Sequence, residues 1–166
     1  MIEIRPATLD DAPEMARVIV DTWFAAHEGQ VPEEKFQQRR NEWGYQESEQ
    51  GWRRLLGEVG KALVLVATDD DKVIAVAATE ITEPDVAETG ALYVDVPYQR
   101  AGIGRDLVAT VMAHYRDRGM ARLQIAVLAA NPPARRFYES LGGREVATRD
   151  DPEGLEVVYA WDLTDP

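Results

Sequence analysis

Residues 99 to 105 read Gln-Arg-Ala-Gly-Ile-Gly-Arg. They join an apolar run, Ala91-Leu92-Tyr93-Val94, to a segment with helical periodicity. Two glycines let a backbone turn tightly and approach a ligand closely. A helix that starts here offers unpaired N–H groups and the positive end of its dipole. That combination suits a phosphate group at a strand-to-helix junction.

Two common nucleotide readings fail on the residues. A P-loop needs Lys and Ser or Thr after its last glycine, and Gly104 is followed by Arg105-Asp106. A dinucleotide fingerprint needs a third glycine, and that position is Leu107. A bare tight turn remains compatible with Gly102-Ile103-Gly104 alone.

A second block lies downstream. Asn131-Pro132-Pro133 reads as an N-cap followed by a proline-started helix. Ala134, Phe137, Tyr138 and Leu141 recur on one face, and Gly142-Gly143 stops the run. Tyr138 is either a core aromatic or a proton donor. A phenol with an ordinary pKa of ~10 is protonated at neutral pH and can donate.

The elements around these blocks follow from periodicity. Ile2 and Ile4 alternate with polar residues in a short strand ended by Pro6. Thr8 to Asp11 resembles a capping box. Met15, Val18, Ile19, Thr22 and Trp23 then recur at helical spacing. The segment after Pro32 suggests a short second helix, and Trp43, Trp52, Leu55 and Leu56 a third. Ala62–Thr68 and Val73–Ala78 flank Asp69-Asp70-Asp71 as a hairpin. A strand over about Glu88–Val96 leads to the glycine turn. Beyond it, Ile103, Leu107, Val108, Val111, Met112 and Tyr115 share a helix face. Strands near Leu123–Leu128, Arg144–Thr148 and Leu155–Asp162 complete the order β-α-α-(α)-β-β-β-α-β-α-β-β.

The glycine turn and the Asn131 block together resemble the GNAT superfamily of acyl-CoA-dependent N-acyltransferases. Leu92-Tyr93-Val94 with Gln99-x-x-Gly102-x-Gly104 is similar to that family's motif A. Asn131, Ala134, Tyr138 and Gly142 are similar to its motif B. Ile4-Arg5-Pro6-Ala7 with Asp10-Asp11-Ala12 is also typical, so the resemblance covers nearly the whole chain. One departure is the proline of V-x-P-x-x-Q, which stands one place later in Val94-Asp95-Val96-Pro97-Tyr98-Gln99.

The resemblance implies an α/β (α+β) fold, with a mixed, mostly antiparallel central sheet of 6–7 strands and helices on both faces. It implies one domain over 1–166. It implies acetyl-CoA as acyl donor and no metal. The pyrophosphate would sit on Arg100, Ala101, Gly102, Ile103, Gly104 and Arg105. The pantetheine arm would pair with the backbone of Leu92, Tyr93 and Val94 and touch Asn131. A backbone N–H of that strand would meet the oxyanion, and Tyr138 would protonate the leaving thiolate. Glu88 matches the base of the histone-acetylating branch, and a solvated carboxylate is its other reading. The branch that acetylates protein N-termini has a glutamate five residues before the motif B asparagine, and here that position is Ala126. The segment with Trp23 and His27 would shape the acceptor site, unless these residues only pack the core.

The implied activity is transfer of an acetyl group to a primary amine of a small molecule or protein, by direct attack in a ternary complex. The alternative is a non-catalytic acyl-CoA-binding sensor or scaffold. Many relatives dimerise, so a homodimer is the expectation for assembly.

Bulk properties agree with this range. The 166 residues include 18 basic and 30 acidic side chains, for a net charge of −12. That balance disfavours a nucleic acid or an anionic membrane as partner and suits an amine. The chain has no cysteine, and its two histidines are far apart in sequence, so a metal site is not expected. There is no signal-peptide pattern and no run near the ~20 apolar residues of a membrane span, so a cytoplasmic address is expected.

Overall fold

The computed structural model describes residues 1–164. Seven strands form one sheet in the order β1-β2-β3-β4-β5-β7-β6. They are β1 Ile2–Pro6, β2 Ala62–Asp69, β3 Lys72–Glu83, β4 Val86–Val94, β5 Arg122–Leu128, β6 Arg144–Asp151 and β7 Gly154–Asp162. Every neighbouring pair is antiparallel except β4–β5. The helices are α1 Ala12–His27, α2 Glu33–Glu42, α3 Tyr45–Gly57, α4 Ile103–Asp117 and α5 Pro132–Ser140. The mixed, mostly antiparallel sheet with helices on both faces is the architecture expected from the sequence.

Strand alternation sorts the core onto two faces. Val64 and Val66 of β2, with Val73 and Val76 of β3, meet Met15, Val18 and Ile19 of α1. Leu65 and Ala67 of β2, with Ile74 and Ala77 of β3, meet Ile103, Leu107 and Val111 of α4. The segment before α1 is pinned by Asp11. Its carboxylate takes the Thr8 N–H at 2.7 Å and both Arg5 guanidinium nitrogens at 2.8 and 2.9 Å.

Several boundaries differ from the sequence reading, among them the strand read over Val73–Ala78, which continues to Glu83. Trp43 does not belong to the third helix. It is the extended residue that ends α2, and Gly44 separates it from α3. The strand read to Val96 stops at Val94, because Asp95 to Tyr98 turns as a 3-10 segment. The strand read over Arg144–Thr148 continues to Asp151 in its ladder with β7. A further feature positions the site. β4 and β5 pair only over Val86–Thr89 and Arg122–Ile125. Beyond Thr89 the two parallel strands part, leaving Gly90 as a bulge and Ala91–Val94 paired with β3 alone.

Candidate active site

The strand–turn–helix junction forms as its residue types require. Asp95 accepts the Val96 N–H at 3.1 Å, and its other oxygen accepts from Arg17 at 3.0 Å. The 3-10 turn over Val96–Tyr98 absorbs the displaced proline. Gln99 Nε2 then donates to the Val94 carbonyl at 2.9 Å and ties the turn back to β4. Arg100 and Gly102 take left-handed backbone, with φ of 64° and 87°. The first helical bond of α4 runs from Asp106 N–H to Gly102 C=O. The N–H groups of Ile103, Gly104 and Arg105 therefore precede any intrahelical partner. Arg100 and Arg105 extend exposed cations beside them.

A cavity of about 650 Å³ runs from this turn into the cleft between β4 and β5. Its size is that of a small-molecule or cofactor site. Leu92, Tyr93, Val94, Arg100, Gly102, Ile103, Gly104 and Arg105 line it, as do Asn131, Tyr138, Trp23 and His27. Residues more than 100 positions apart thus share one space. Ala101 is exposed and stands outside that lining.

Asn131 caps α5, its side chain accepting the Ala134 N–H at 3.4 Å. Two turns of that helix place Phe137 and Tyr138 against the cavity. Tyr138 is buried, packed between Phe137, Tyr159 and Trp161. Burial, and then proximity to Tyr93, holds its phenol far above the ordinary value of 10.0. Burial pushes Tyr93 up to about 12. Both hydroxyls stay protonated through the physiological range.

Glu88 lies outside the cavity lining. Arg149 donates to both of its oxygens, at 2.6 and 3.1 Å, and Gln124 donates at 2.7 Å. The Arg149 bonds, opposed by partial burial, hold its carboxyl below the usual 4.5. A carboxylate so held is an anchor between β4, β5 and β6. The residue that the resemblance implies as base thus stands outside the cavity, with three of its acceptor positions engaged by Arg149 and Gln124.

The cavity gathers other polar groups that the motifs do not mark. Thr22 lines it from α1, and Glu153 and Glu156 from the β6–β7 hairpin. Burial, and then Asp151, raises the Glu156 carboxyl above 4.5. Glu153 accepts Arg39 of α2 at 2.6 Å. The Arg39 guanidinium lies 4.6 Å from the Trp23 ring and 5.0 Å from that of Trp43. A second cavity of about 540 Å³ shares Trp23, Gly90 and Tyr93 with the first and reaches Arg39 and Trp43. Only Thr22 carried a signal in the sequence, as a polar residue on the apolar periodicity of α1.

A cleft of this shape, with an anion-suited turn at one end and a buried phenol inside, fits an acyl carrier with a phosphate tail. Residues 19–143 match the model of the acetyltransferase (GNAT) family. The chain belongs to this family. It is 38% identical over 82 residues to the ribosomal protein bS18-alanine N-acetyltransferase of Escherichia coli (strain K12), covering 49% of this chain and 55% of that protein. It is 34% identical over 79 residues to the mycothiol acetyltransferase of Thermomonospora curvata, covering 48% of this chain and 27% of that protein. The chain therefore spans about half the length of the first of these relatives and less of the second. In fold it is similar to the crystal structure of PaiA N-acetyltransferase from Thermoplasma acidophilum in complex with coenzyme A. That likeness has a TM-score of 0.79 at 21% identity and covers 98% of this chain and 99% of the other.

Among the described residues, no group of three or more His, Asp or Glu is placed to hold a metal ion. No helix among them is long and apolar enough to cross a membrane.

Proposed function

We propose that this GNAT member transfers an acetyl group from acetyl-CoA to a primary amine, by direct attack within a ternary complex. The observation that carries the reading is the shared cavity. One space holds the free N–H groups at the start of α4, the unpaired edge of β4 and the Tyr138 phenol. Relatives that bear the names of N-acetyltransferases, and a fold neighbour holding coenzyme A, support it.

The residues present fit such a donor. Arg100, Gly102, Ile103, Gly104 and Arg105 would hold the pyrophosphate, with Ala101 at the outer side of the turn. The main chain of Leu92, Tyr93 and Val94 would pair with the pantetheine arm as an added strand, with Asn131 beside it. A main-chain N–H of the same strand would stabilise the oxyanion. Tyr138 would give its proton to the departing thiolate. The acceptor would enter beside Trp23 and His27, where Glu156 favours a cationic amine. Small amines and protein N-termini both fit this chemistry; relatives are named for a ribosomal-protein alanine and for mycothiol. The reading extends to one cytoplasmic catalytic domain, assembled as a homodimer.

The test is release of free thiol from acetyl-CoA in the presence of a panel of primary amines, namely spermidine, glucosamine and alanine-terminated peptides. Turnover with at least one amine is expected. Tight acetyl-CoA binding without turnover across the panel would favour a sensor or scaffold instead.

A further inference from the structure

His27 closes α1, one turn after Trp23, and its ring stacks on the Trp23 indole with centroids 4.6 Å apart. Its Nδ1 lies 2.8 Å from the Trp23 carbonyl oxygen. A carbonyl only accepts, so Nδ1 carries the proton. In the neutral ring, Nε2 is then a bare acceptor. Among the described residues, Nε2 takes no hydrogen bond, although the residue is 9% exposed and lines the cavity. Thr22, on the same helix and the same cavity wall, has a buried hydroxyl with no partner. A buried hydroxyl without a partner in the fold is uncommon and calls for an explanation.

We propose that His27 is the general base of the acyl transfer, accepting the acceptor amine's proton on Nε2 while Thr22 Oγ1 accepts a second N–H. This rests on the acetyl-transfer reading above. A primary amine has two N–H donors and one lone pair. Donation to Nε2 and Oγ1 leaves that pair free to attack. The bond formed is N–C and the bond broken is C–S. The proton shed by nitrogen goes to His27 Nε2, and the thiolate takes the Tyr138 proton. Return of the His27 proton to the Tyr138 phenolate through water restores both groups.

Burial favours a neutral imidazole, and the neighbouring charges act in both directions. Burial lowers the His27 pKa from 6.5 and Arg39 of α2 adds to this, while the Trp23 carbonyl and Glu153 of the hairpin oppose it. The same cavity is lined by Tyr93 of β4, Tyr138 of α5, Glu156 of β7 and the cations Arg100, Arg105 and Arg136. Both tyrosines are neutral, Glu153 is paired with Arg39, and Glu156 is the one lining carboxylate without an ion-pair partner among the described residues. Of the two positions where family branches place a base, Glu88 is held by Arg149 outside the cavity lining and Ala126 carries no titratable group.

Three measurements test the assignment. In the ¹⁵N spectrum of the whole protein at pH 7, the His27 ring is expected as the Nδ1–H tautomer; the Nε2–H tautomer would overturn the assignment before any acceptor is known. With the fastest amine of the panel, His27→Gln is expected to lose at least ~100-fold in kcat while acetyl-CoA affinity by calorimetry stays within about twofold. The limb due to the amine itself is shared by all variants. The additional limb below pH 6.5 should vanish in His27→Gln and persist in Glu156→Gln. Added imidazole should restore turnover to His27→Ala. An intact low-pH limb in His27→Gln, or its loss only in Glu156→Gln, refutes His27 and leaves acetyl transfer standing. Absence of thiol release by the unmodified protein with every amine refutes the transfer reading, and His27 as base falls with it.

Discussion

Gly104, in the first turn of α4, lies against the tip of the Phe137 ring on α5: a Cβ at position 104 would stand 3.1 Å from Phe137 Cζ. The two sequence blocks, more than thirty residues apart, are thus packed into one wall of the cavity. The phosphate-suited turn and the helix that carries Tyr138 are set relative to each other by this close approach. The neighbouring Gly102 serves a different need, a left-handed backbone at φ 87°.

These two glycines should respond differently to alanine. Gly102→Ala forces a side chain into left-handed backbone, at a cost of about 1–2 kcal/mol. Its Cβ would also stand 2.8 Å from Arg105 Nη2, displacing that cation. Gly104→Ala gains about 1 kcal/mol of helix propensity, but the Phe137 ring must yield. Thermal melting should show clear destabilisation for Gly102→Ala and little for Gly104→Ala. Titration with acetyl-CoA should show weaker binding for both. Unchanged affinity in both would remove the turn from the donor site.

Tyr138→Phe deletes only the hydroxyl of a side chain whose packing against Phe137, Tyr159 and Trp161 persists. Turnover should fall at least ~10-fold with little change in acetyl-CoA affinity, the signature of a group used in the transition state. Steady-state kinetics with a calorimetric Kd decide this. Full turnover in the variant excludes Tyr138 as the acid.

Much of this architecture was legible because its signals are local. Glycines where φ is positive, Asn131 ahead of two prolines, and strand alternation in β2 and β3 each follow from neighbouring residues. The splitting of β4 from β5 was not legible, since it depends on where a parallel ladder stops. The groups at the acceptor end were also hidden. Glu153 reaches the cavity through the β6–β7 register and is met by Arg39, 114 residues earlier. Neither residue sits in a pattern that distinguishes it from surface charge. Trp43 was misplaced because its apolar side chain fits a helical period that Gly44 interrupts.

Glu88 offers a stability prediction with a definite sign. Its carboxyl is held below 4.5 in the folded chain, chiefly by the Arg149 hydrogen bonds. A depressed folded pKa adds stability above the unfolded value, lost as pH falls through the folded value. Glu88→Gln should therefore destabilise at pH 7, and the difference should shrink from about pH 4.5 downward. Arg149 is 41% exposed, so solvent screening limits the effect to about 1 kcal/mol or less. Urea unfolding at pH 7 and pH 3 measures both limbs. The pH–rate profile of the variant should match that of the unmodified protein; loss of its acidic limb would instead return Glu88 to the mechanism as base.

Arg39 is expected to matter for the acceptor and not for the donor. Its guanidinium lies between Trp23 and Trp43 and reaches Glu153 at 2.6 Å, so it joins α2 to the β6–β7 hairpin at the acceptor end. Removing it leaves Glu153 without its cation and frees the hairpin tip. Arg39→Met keeps the aliphatic stem against the aromatic rings and removes the ion pair alone. The acceptor KM should rise about 3-fold or more, whereas acetyl-CoA affinity should stay constant, because the proposed donor contacts lie on β4, the start of α4 and Asn131. Glu153→Gln should reproduce part of this change. The double variant should be no worse than Arg39→Met, since both substitutions break one interaction. Additive losses in the double variant would show that the two residues act separately on the acceptor.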